Sequence, residues 1–229
     1  MKDSQHKYFT FWLFTFTSLA VLFTQSSCGF ISMLGKPTSH ERKIPAEFNL
    51  ARRKGQRILI LVNQPGWLDT NVNVRYYITE AVHKNLVKKV KLLSGDIISY
   101  KELSEFRTSR SDFSSLTPVE TGRTLKADIV LAAEIEDYKL KKMSGAQVYE
   151  GILNARTAIF ETATSQKLWP KTALSKTIKV GFETEGSSEG AADRLANACA
   201  HCITRYLYNC PENKFKIHDD RSGLGWQNW

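Results

Sequence analysis

The sequence has few cysteines and few prolines, and its longest apolar stretch is too short to cross a membrane. The 229 residues include 4 Cys and 6 Pro, which excludes a disulfide-dense miniprotein and a proline-rich disordered chain. Hydrophobic residues make up 42% of the chain and charged residues 24%, which is an ordinary globular composition. The length suits one domain with tails.

Short motifs that identify many enzymes were also not found. We identify no phosphate-binding loop, no zinc-protease signature and no nucleophile elbow. A Ser/His/Asp set can be assembled only by free choice among residues that are distant in the sequence. We therefore expect no catalytic residues, no metal site and no cofactor, and a protein that is not an enzyme.

The first 28 residues differ in composition from the rest of the chain. Lys2 and Lys7 give a positive start, and residues 9–23 (FTFWLFTFTSLAVLF) form a charge-free run of 15 residues. Because a membrane-spanning helix needs roughly 20 apolar residues, the run predicts a secretory signal instead. We expect a signal peptide over residues 1–27 and export to a compartment that permits disulfides.

Two small residues, Ser26 and Ser27, come directly before Cys28 at the end of this run. The arrangement resembles the lipobox of bacterial lipoproteins, in which the signal is cleaved before a cysteine that then carries lipid. The resemblance implies cleavage between Ser27 and Cys28 and lipid attachment at Cys28, although Gln25 stands where an aliphatic residue is usual. The alternatives are a plain signal peptide or an uncleaved amino-terminal anchor, with Cys28 incidental. Two or three acyl chains would hold the protein to a membrane essentially permanently.

The rest of the chain divides into three predicted parts. Residues 28–50 lack sustained periodicity and contain glycine and proline, so we expect a lipid-anchored tether there, with order beginning at Arg57. Residues 51–211 form a single predicted α+β domain, and residues 212–229 a polar carboxyl-terminal tail.

Hydrophobic periodicity predicts the elements of this domain. The predicted elements are a strand at 58–62, a helix at 70–89, a weak strand at 90–99, a short helix opened by the capping box of 117–120, strands at 129–140, 147–161 and 167–182, and a helix at 188–209. We expect a mixed sheet with an antiparallel three-strand meander and with the helices packed on one face. Pro170 is expected to mark an edge or a bulge.

Two phrases of the sequence carry a family resemblance. Residues 124–135 (TLKADIVLAAEI) lead from a short helix into a long strand, and residues 161–169 (ETATSQKLW) precede a later strand. Over residues 57–210 the layout is similar to the amino-terminal domain of the translocation protein TolB, to the curli assembly lipoprotein CsgG and to lipoproteins that activate penicillin-binding proteins. The resemblance implies an envelope setting and action by protein contact, with no catalytic residues to carry over.

Four residues are candidates for interaction. Arg52, Arg53 and Lys54 follow the tether, and such a basic cluster beside a membrane could bind anionic headgroups; the alternative is a solvated linker with scattered charge. Trp67 is a candidate for an interface, with a core position as its alternative. The chain is basic, with a formal net charge of +9, but export argues against nucleic acid as a partner. Anionic lipid, peptidoglycan or an acidic protein face fit better.

Glu134 and Glu136 carry the alternative of an enzyme. Strand alternation puts both side chains on one face, about 7 Å apart, a separation also seen in the carboxylate pairs of hydrolases. A solvated sheet face explains the two residues equally well.

A second cluster, of cysteine and histidine, lies on the last predicted helix. Cys199 and Cys202 fall on its apolar stripe with His201 between them, so buried cysteines that pack as small hydrophobes are the better interpretation. A zinc site needs ligands from two separate pieces of chain. A disulfide from Cys210 to one of the other two remains an alternative.

These observations favour an exported, lipid-anchored protein of the bacterial cell envelope, on the outer membrane and facing the periplasm. It would act as a non-catalytic binding or assembly module for a protein partner or the cell wall. The alternatives are an exported hydrolase that uses Glu134 and Glu136, and a structural subunit of a secretion or transport assembly.

Overall fold

The computed structural model describes residues 42–68, 72–144 and 147–215, and its folded unit begins at Lys43. The strands are β1 (Lys43–Ile44), β2 (Ile58–Asn63), β3 (Ile129–Lys142), β4 (Val148–Glu161), β5 (Lys167–Trp169), β6 (Lys176–Glu185) and β7 (Cys210–Pro211). The helices are α1 (Val74–Asn85), α2 (Tyr100–Ser109), α3 (Pro118–Thr124), α4 (Ser188–Thr204) and α5 (Glu212–Phe215). A π-helical turn at Leu86–Val90 continues α1. Within the described ranges, no helix has the length and apolarity to span a bilayer.

Five strands form the main sheet. Strand β2 runs parallel to β3, β3 pairs antiparallel with β4, and β4 pairs antiparallel with both β5 and β6. The α+β class, the mixed sheet and the antiparallel meander are therefore confirmed. The third meander strand is interrupted after Trp169, since β6 pairs with residues 148–157 of β4 and β5 with residues 159–160. Pro170 lies at this break, as expected.

Helices cover both faces of the sheet, so the expectation of helices on one face was wrong. On one face, the larger core joins Ile58, Ile60 and Val62 to side chains from α1 and α4. On the other face, Leu59 and Leu61 pack in a second core with residues from α2 and the end of α3. The physical reason lies in β2 itself: a strand that is apolar on both faces must be covered on both.

Residues 90–99 do not form the weak strand that we predicted. A 3₁₀ turn at Ser94–Asp96 breaks the segment, and only a single bridge joins Ile97 to Ile58. The chain then enters α2, which the sequence reading missed. Its signal was present, because Ser99 accepts a hydrogen bond from the backbone N–H of Glu102 (3.2 Å) as a helix N-cap does.

The predicted capping box at the start of α3 is confirmed. The Thr117 hydroxyl accepts from the Glu120 N–H at 3.2 Å, and the Glu120 carboxylate accepts from the Thr117 N–H at 2.8 Å. Gly122 lets α3 approach the sheet closely, because a Cβ there would lie 2.4 Å from Cγ2 of Val130.

Order begins earlier than Arg57, the residue predicted from the sequence. Strand β1 pairs with β7, and the backbone N–H groups of Phe48 and Leu50 donate to the carbonyls of Tyr206 and Leu207, both at 3.1 Å. The described end of the predicted tether therefore belongs to the domain. Its few apolar residues pack against residues that are distant in the sequence, and local periodicity does not indicate such contacts.

Candidate binding site at the carboxyl end of strand β2

A pocket of about 370 Å³ lies where β2 ends and β3 continues. The last residue of β2, Asn63, pairs with Glu134, whereas β3 extends to Lys142. The turn after β2 and the side chains of Arg75 and Arg107 line the space. We call it the arginine pocket. In open sheets with parallel strands, the carboxyl ends of the strands are the usual place for ligands.

Two helices position the arginines. Arg75 lies in the first turn of α1, which begins after Asn73, whose side chain accepts from the Tyr76 N–H at 3.1 Å. Arg107 lies near the end of α2, where Nη2 donates to the Val62 carbonyl at 3.1 Å. The Arg107 guanidinium also lies over the Phe113 ring, 4.8 Å from its centroid. These contacts fix the orientation of Arg107 at the strand end.

The positive charge of the two guanidinium groups is not balanced locally. Burial lowers the pKa of Arg107, and the nearby charge of Arg75 lowers it further. The Nε atoms of both side chains are buried and have no hydrogen-bond partner among the described residues. An arginine remains protonated in spite of such a shift, so two like charges stand close together at a partly desolvated site.

Glu134 lines the edge of the same pocket and contacts a third arginine. Arg156 on β4 places Nη2 3.5 Å from Oε2 of Glu134 and Nε 2.8 Å from Oε1 of Glu136. Both glutamates therefore contact one side chain, although the strict alternation from which we predicted their shared face is interrupted by a register shift between Ile135 and Asp137. A hydrolytic pair flanks its substrate with two carboxyl groups, whereas here both carboxylates contact the same guanidinium.

Aromatic side chains surround this end of β2. Trp67 follows the pocket-lining turn, and its side chain is 72% exposed. The Tyr76 ring is also exposed and packs edge-on against Tyr100, with 5.2 Å between the ring centroids. The Tyr100 hydroxyl accepts from Nδ2 of Asn73 at 3.1 Å. Tryptophan, tyrosine and arginine are the residue types enriched where binding energy concentrates at protein interfaces.

The predicted basic residues lie at the opposite end of β2 from Trp67. Arg52, Arg53 and Lys54 precede the amino end of the strand, and Arg53 pairs with Glu161 at 3.4 Å. Six strand residues at about 3.3 Å each separate the two ends by roughly 20 Å. The structure therefore does not bring the four candidate interaction residues together.

A second groove, of about 520 Å³, contains Arg52 and Arg53 together with Lys167 and Lys171. We call it the basic groove. The sequence reading missed its two lysines because they come from the segment around β5, far from the arginines along the chain. No local pattern in the sequence indicated that the two segments meet.

The three cysteines of the described domain are buried and unbridged. Cys199, Cys202 and Cys210 are buried and are not joined by a disulfide, which agrees with the interpretation of small buried hydrophobes and leaves the disulfide alternative unsupported. Within residues 42–68, 72–144 and 147–215, no group of three or more His, Cys, Asp or Glu side chains is placed to hold a metal ion.

His201 lies beside these cysteines and contacts a lysine. Nε2 of its ring lies 3.0 Å from the Lys214 carbonyl, so Nε2 carries the proton, and Nδ1 lies 3.3 Å from Nζ of Lys89. Burial, followed by the charge of Lys89, lowers the pKa of His201 to about 3. Burial and the charge of Lys214 lower the pKa of Lys89 to about 8. The histidine is therefore neutral in the folded protein.

Residues 186–190 have the sequence G-S-S-E-G, which matches the G-x-S-x-G pattern of nucleophile elbows. The sequence analysis missed this match. The segment joins β6 to α4, and Gly186 adopts a φ of +124°. The Ser187 hydroxyl accepts from the Gly190 N–H at 3.1 Å. No described histidine forms a hydrogen bond with Ser188, and the segment acts as a helix cap.

The predicted cleavage and lipidation residues, Ser27 and Cys28, lie outside the described residues. Their assignment stays a prediction from the sequence.

Comparison with known proteins places the chain in no family. No family model matches the sequence, and the curated proteins include no match. Solved structures with a similar arrangement include lipoprotein GNA1162 from Neisseria meningitidis, 14% identical over 62% of this chain and 94% of that one, with a TM-score of 0.40. The PelC dodecamer from Paraburkholderia phytofirmans is 14% identical over 74% and 96%, with a TM-score of 0.41. The LpoB C-terminal domain from Salmonella enterica is 16% identical over 60% and 84%, with a TM-score of 0.33. Likenesses this weak establish neither a shared family nor a shared function.

Proposed function

We propose that the chain is an exported protein of the bacterial cell envelope, anchored by lipid at Cys28, and that its domain is a non-catalytic binding module. The domain would bind a protein partner through the face at the carboxyl end of β2. The observation that carries the proposal is a pocket lined by two arginines that pair with no described acid, with an exposed tryptophan directly after the turn that lines the same pocket.

The composition of this face supports binding rather than chemistry. An exposed tryptophan lowers the solubility of a protein, and repulsion between two neighbouring like charges lowers its stability. Neither feature is therefore favourable in the isolated domain. Both become favourable when a partner covers the ring and supplies negative charge. The glutamates of the hydrolase alternative instead form ion pairs with Arg156.

The opposite end of β2 suits a position near the membrane. The basic groove holds Arg52, Arg53, Lys167 and Lys171, and residues 47–49, which follow the start of the folded unit, line the same groove. Each basic residue near an anionic membrane surface adds about 1 kcal/mol. In this arrangement the basic groove would face the lipid and the arginine pocket would face away from it.

Photo-crosslinking in the native envelope tests the binding face. A photo-reactive amino acid at position 67 of the full-length protein should give a discrete adduct. The matched control is position 93, because Leu93 is 68% exposed and lies near the amino end of β2. Equal crosslinking at both positions, or none at position 67, would count against the proposed face.

Lipid attachment has a separate test. Cys28→Ala should abolish incorporation of labelled fatty acid and release the protein from membranes. A Cys199→Ala variant controls for loss of a cysteine as such. Continued labelling of the Cys28→Ala protein would remove the assignment of the anchor.

A further inference from the structure

We infer that the arginine pocket binds an oxyanion, a carboxylate or phosphate group held between the guanidinium groups of Arg75 and Arg107. The inference deepens the proposed function, on which it rests, by naming the chemistry of the group that this face recognises. The inference assigns a specific anion-binding site within the face at the carboxyl end of β2.

The first step of the argument is the charge of the pocket. Folded proteins normally pair partly buried charges with opposite ones, because desolvation of an unpaired charge is costly. Arg75 and Arg107 instead both line the pocket, close enough for the charge of Arg75 to lower the pKa of Arg107, and neither forms an ion pair with a residue in the described ranges. An oxyanion between them would supply the opposite charge that the domain itself does not provide.

The second step is the hydrogen-bonding geometry. Arg107 donates from Nη2 to the Val62 carbonyl and places its guanidinium over the Phe113 ring, which holds the group in place, and its Nε has no acceptor among the described residues. The Nε atom of Arg75 has no acceptor among the described residues either. Guanidinium groups bind carboxylates and phosphates through two parallel N–H donors, and a preoriented group loses little entropy on binding.

The third step concerns Glu134, the one acidic residue on the pocket lining. Its carboxylate lies 3.5 Å from Arg156, which also pairs with Glu136 at 2.8 Å. The three arginines and two glutamates of this region leave a net positive charge of one. An incoming anion therefore meets a site with a net positive charge.

The size of the pocket limits what can enter it. A space of about 370 Å³ lies at the lower end of small-ligand sites. It accommodates an acidic side chain or a small phosphate compound. Two sources therefore share one chemistry: an acidic residue of the partner protein, and a free phosphate-bearing molecule.

Calorimetry and thermal melting of the full-length protein in detergent test the site, with succinate and inorganic phosphate as probes. Sodium chloride at matched ionic strength controls for general screening. At least one probe should bind and raise the melting temperature. Arg75→Gln and Arg107→Gln should each weaken binding about tenfold, the expected scale for loss of a charge-assisted hydrogen bond. Arg52→Gln, at the other end of β2, should leave the affinity unchanged.

Further variants keep the test decisive. Arg107→Lys retains the charge but loses the two-donor geometry, so its affinity should fall between those of the wild-type protein and Arg107→Gln. Circular dichroism shows whether each variant is folded. The proposal is overturned if neither probe binds, or if both bind all the arginine variants as tightly as the wild-type protein.

The two probes and the crosslinking experiment separate the possible sources. Preference for succinate, with Arg75→Gln abolishing the adduct at position 67, supports an acidic residue of the partner. Preference for phosphate, with that adduct unchanged, supports a free phosphate compound. If oxyanion binding depends on both arginines while position 67 yields no adduct, the anion-binding site is supported and the protein-binding function is contradicted.

Discussion

At the amino end of β2, Arg53 lies 3.4 Å from Glu161 and Arg57 lies 2.6 Å from Glu102, whereas at the carboxyl end neither Arg75 nor Arg107 forms an ion pair with a described residue. At the first end, backbone hydrogen bonds also join distant segments: the Asp128 N–H donates to the Arg57 carbonyl at 2.7 Å, and the Thr162 N–H donates to the Asp128 carbonyl at 3.0 Å. Paired charges thus accompany the part of the molecule that holds the fold together. Unpaired charges mark the part that is available for binding.

A core tryptophan and the exposed tryptophan beside the arginine pocket should respond differently to removal. Trp169 is 1% exposed, and its Nε1 donates to Glu47 at 2.9 Å. We expect Trp169→Ala to lower the free energy of unfolding by about 3–5 kcal/mol, since a large cavity is left in the core. Trp67→Ala should change it by less than about 0.5 kcal/mol. Urea unfolding monitored by circular dichroism measures both, and equal losses would contradict the distinction.

Acid should lower the free energy of unfolding of the domain through protonation of His201. Its pKa is about 3 in the folded protein and near its ordinary value of 6.5 when unfolded, so the unfolded state binds more protons between these values. Stability from this group is present above pH 6.5 and is lost as pH falls toward 3, by at most about 1.4 kcal/mol per pH unit.

Urea unfolding of the wild-type protein and of His201→Asn between pH 7 and pH 4 isolates this contribution. The variant should show a smaller loss of stability as the pH falls, and His83→Gln serves as the control because His83 lies outside the core. Identical pH profiles for the wild-type protein and His201→Asn would contradict the assignment.

A smaller effect is expected from Glu47, whose carboxylate accepts from both Trp169 and Lys176, at 2.9 and 2.8 Å. Glu47→Ala should lower the free energy of unfolding by about 1 kcal/mol, because it removes charge-assisted bonds and leaves the indole N–H without its acceptor. Glu150→Ala replaces an exposed glutamate on β4 and should be nearly neutral. Thermal unfolding of both variants measures the effect, and Glu47→Ala should have the lower melting temperature.

Sequence patterns predicted those parts of the fold that depend on local periodicity. The aliphatic run of β2, the capping box of Thr117 and Glu120, and the alternation of β3 as far as Ile135 appear in the structure, and a register shift between Ile135 and Asp137 then interrupts the alternation. Helix α2 was missed because its capping serine lay inside a segment that was interpreted as a strand. The second layer of helices followed from the same aliphatic run, which needed cover on both faces.

The candidate site could be predicted only in part, because it depends on contacts between distant segments. Trp67 was identified, but Arg75 looked like a solvated charge on the helix predicted at 70–89, and Arg107 lay in a segment for which no element was predicted. They come together only because the carboxyl end of β2 lies between the start of α1 and the end of α2. Lys167 and Lys171 join Arg52 in the basic groove for the same reason.

The central claim is that the arginine pocket serves binding and not folding, and Arg75→Gln tests it most directly. The substitution removes the charge that lowers the pKa of Arg107 and breaks no side-chain hydrogen bond recorded within the described residues. In urea unfolding without added oxyanion, we expect the variant to be as stable as the wild-type protein or more stable by a few tenths of a kcal/mol. A loss of about 1 kcal/mol or more would show that Arg75 supports the fold and would contradict the claim.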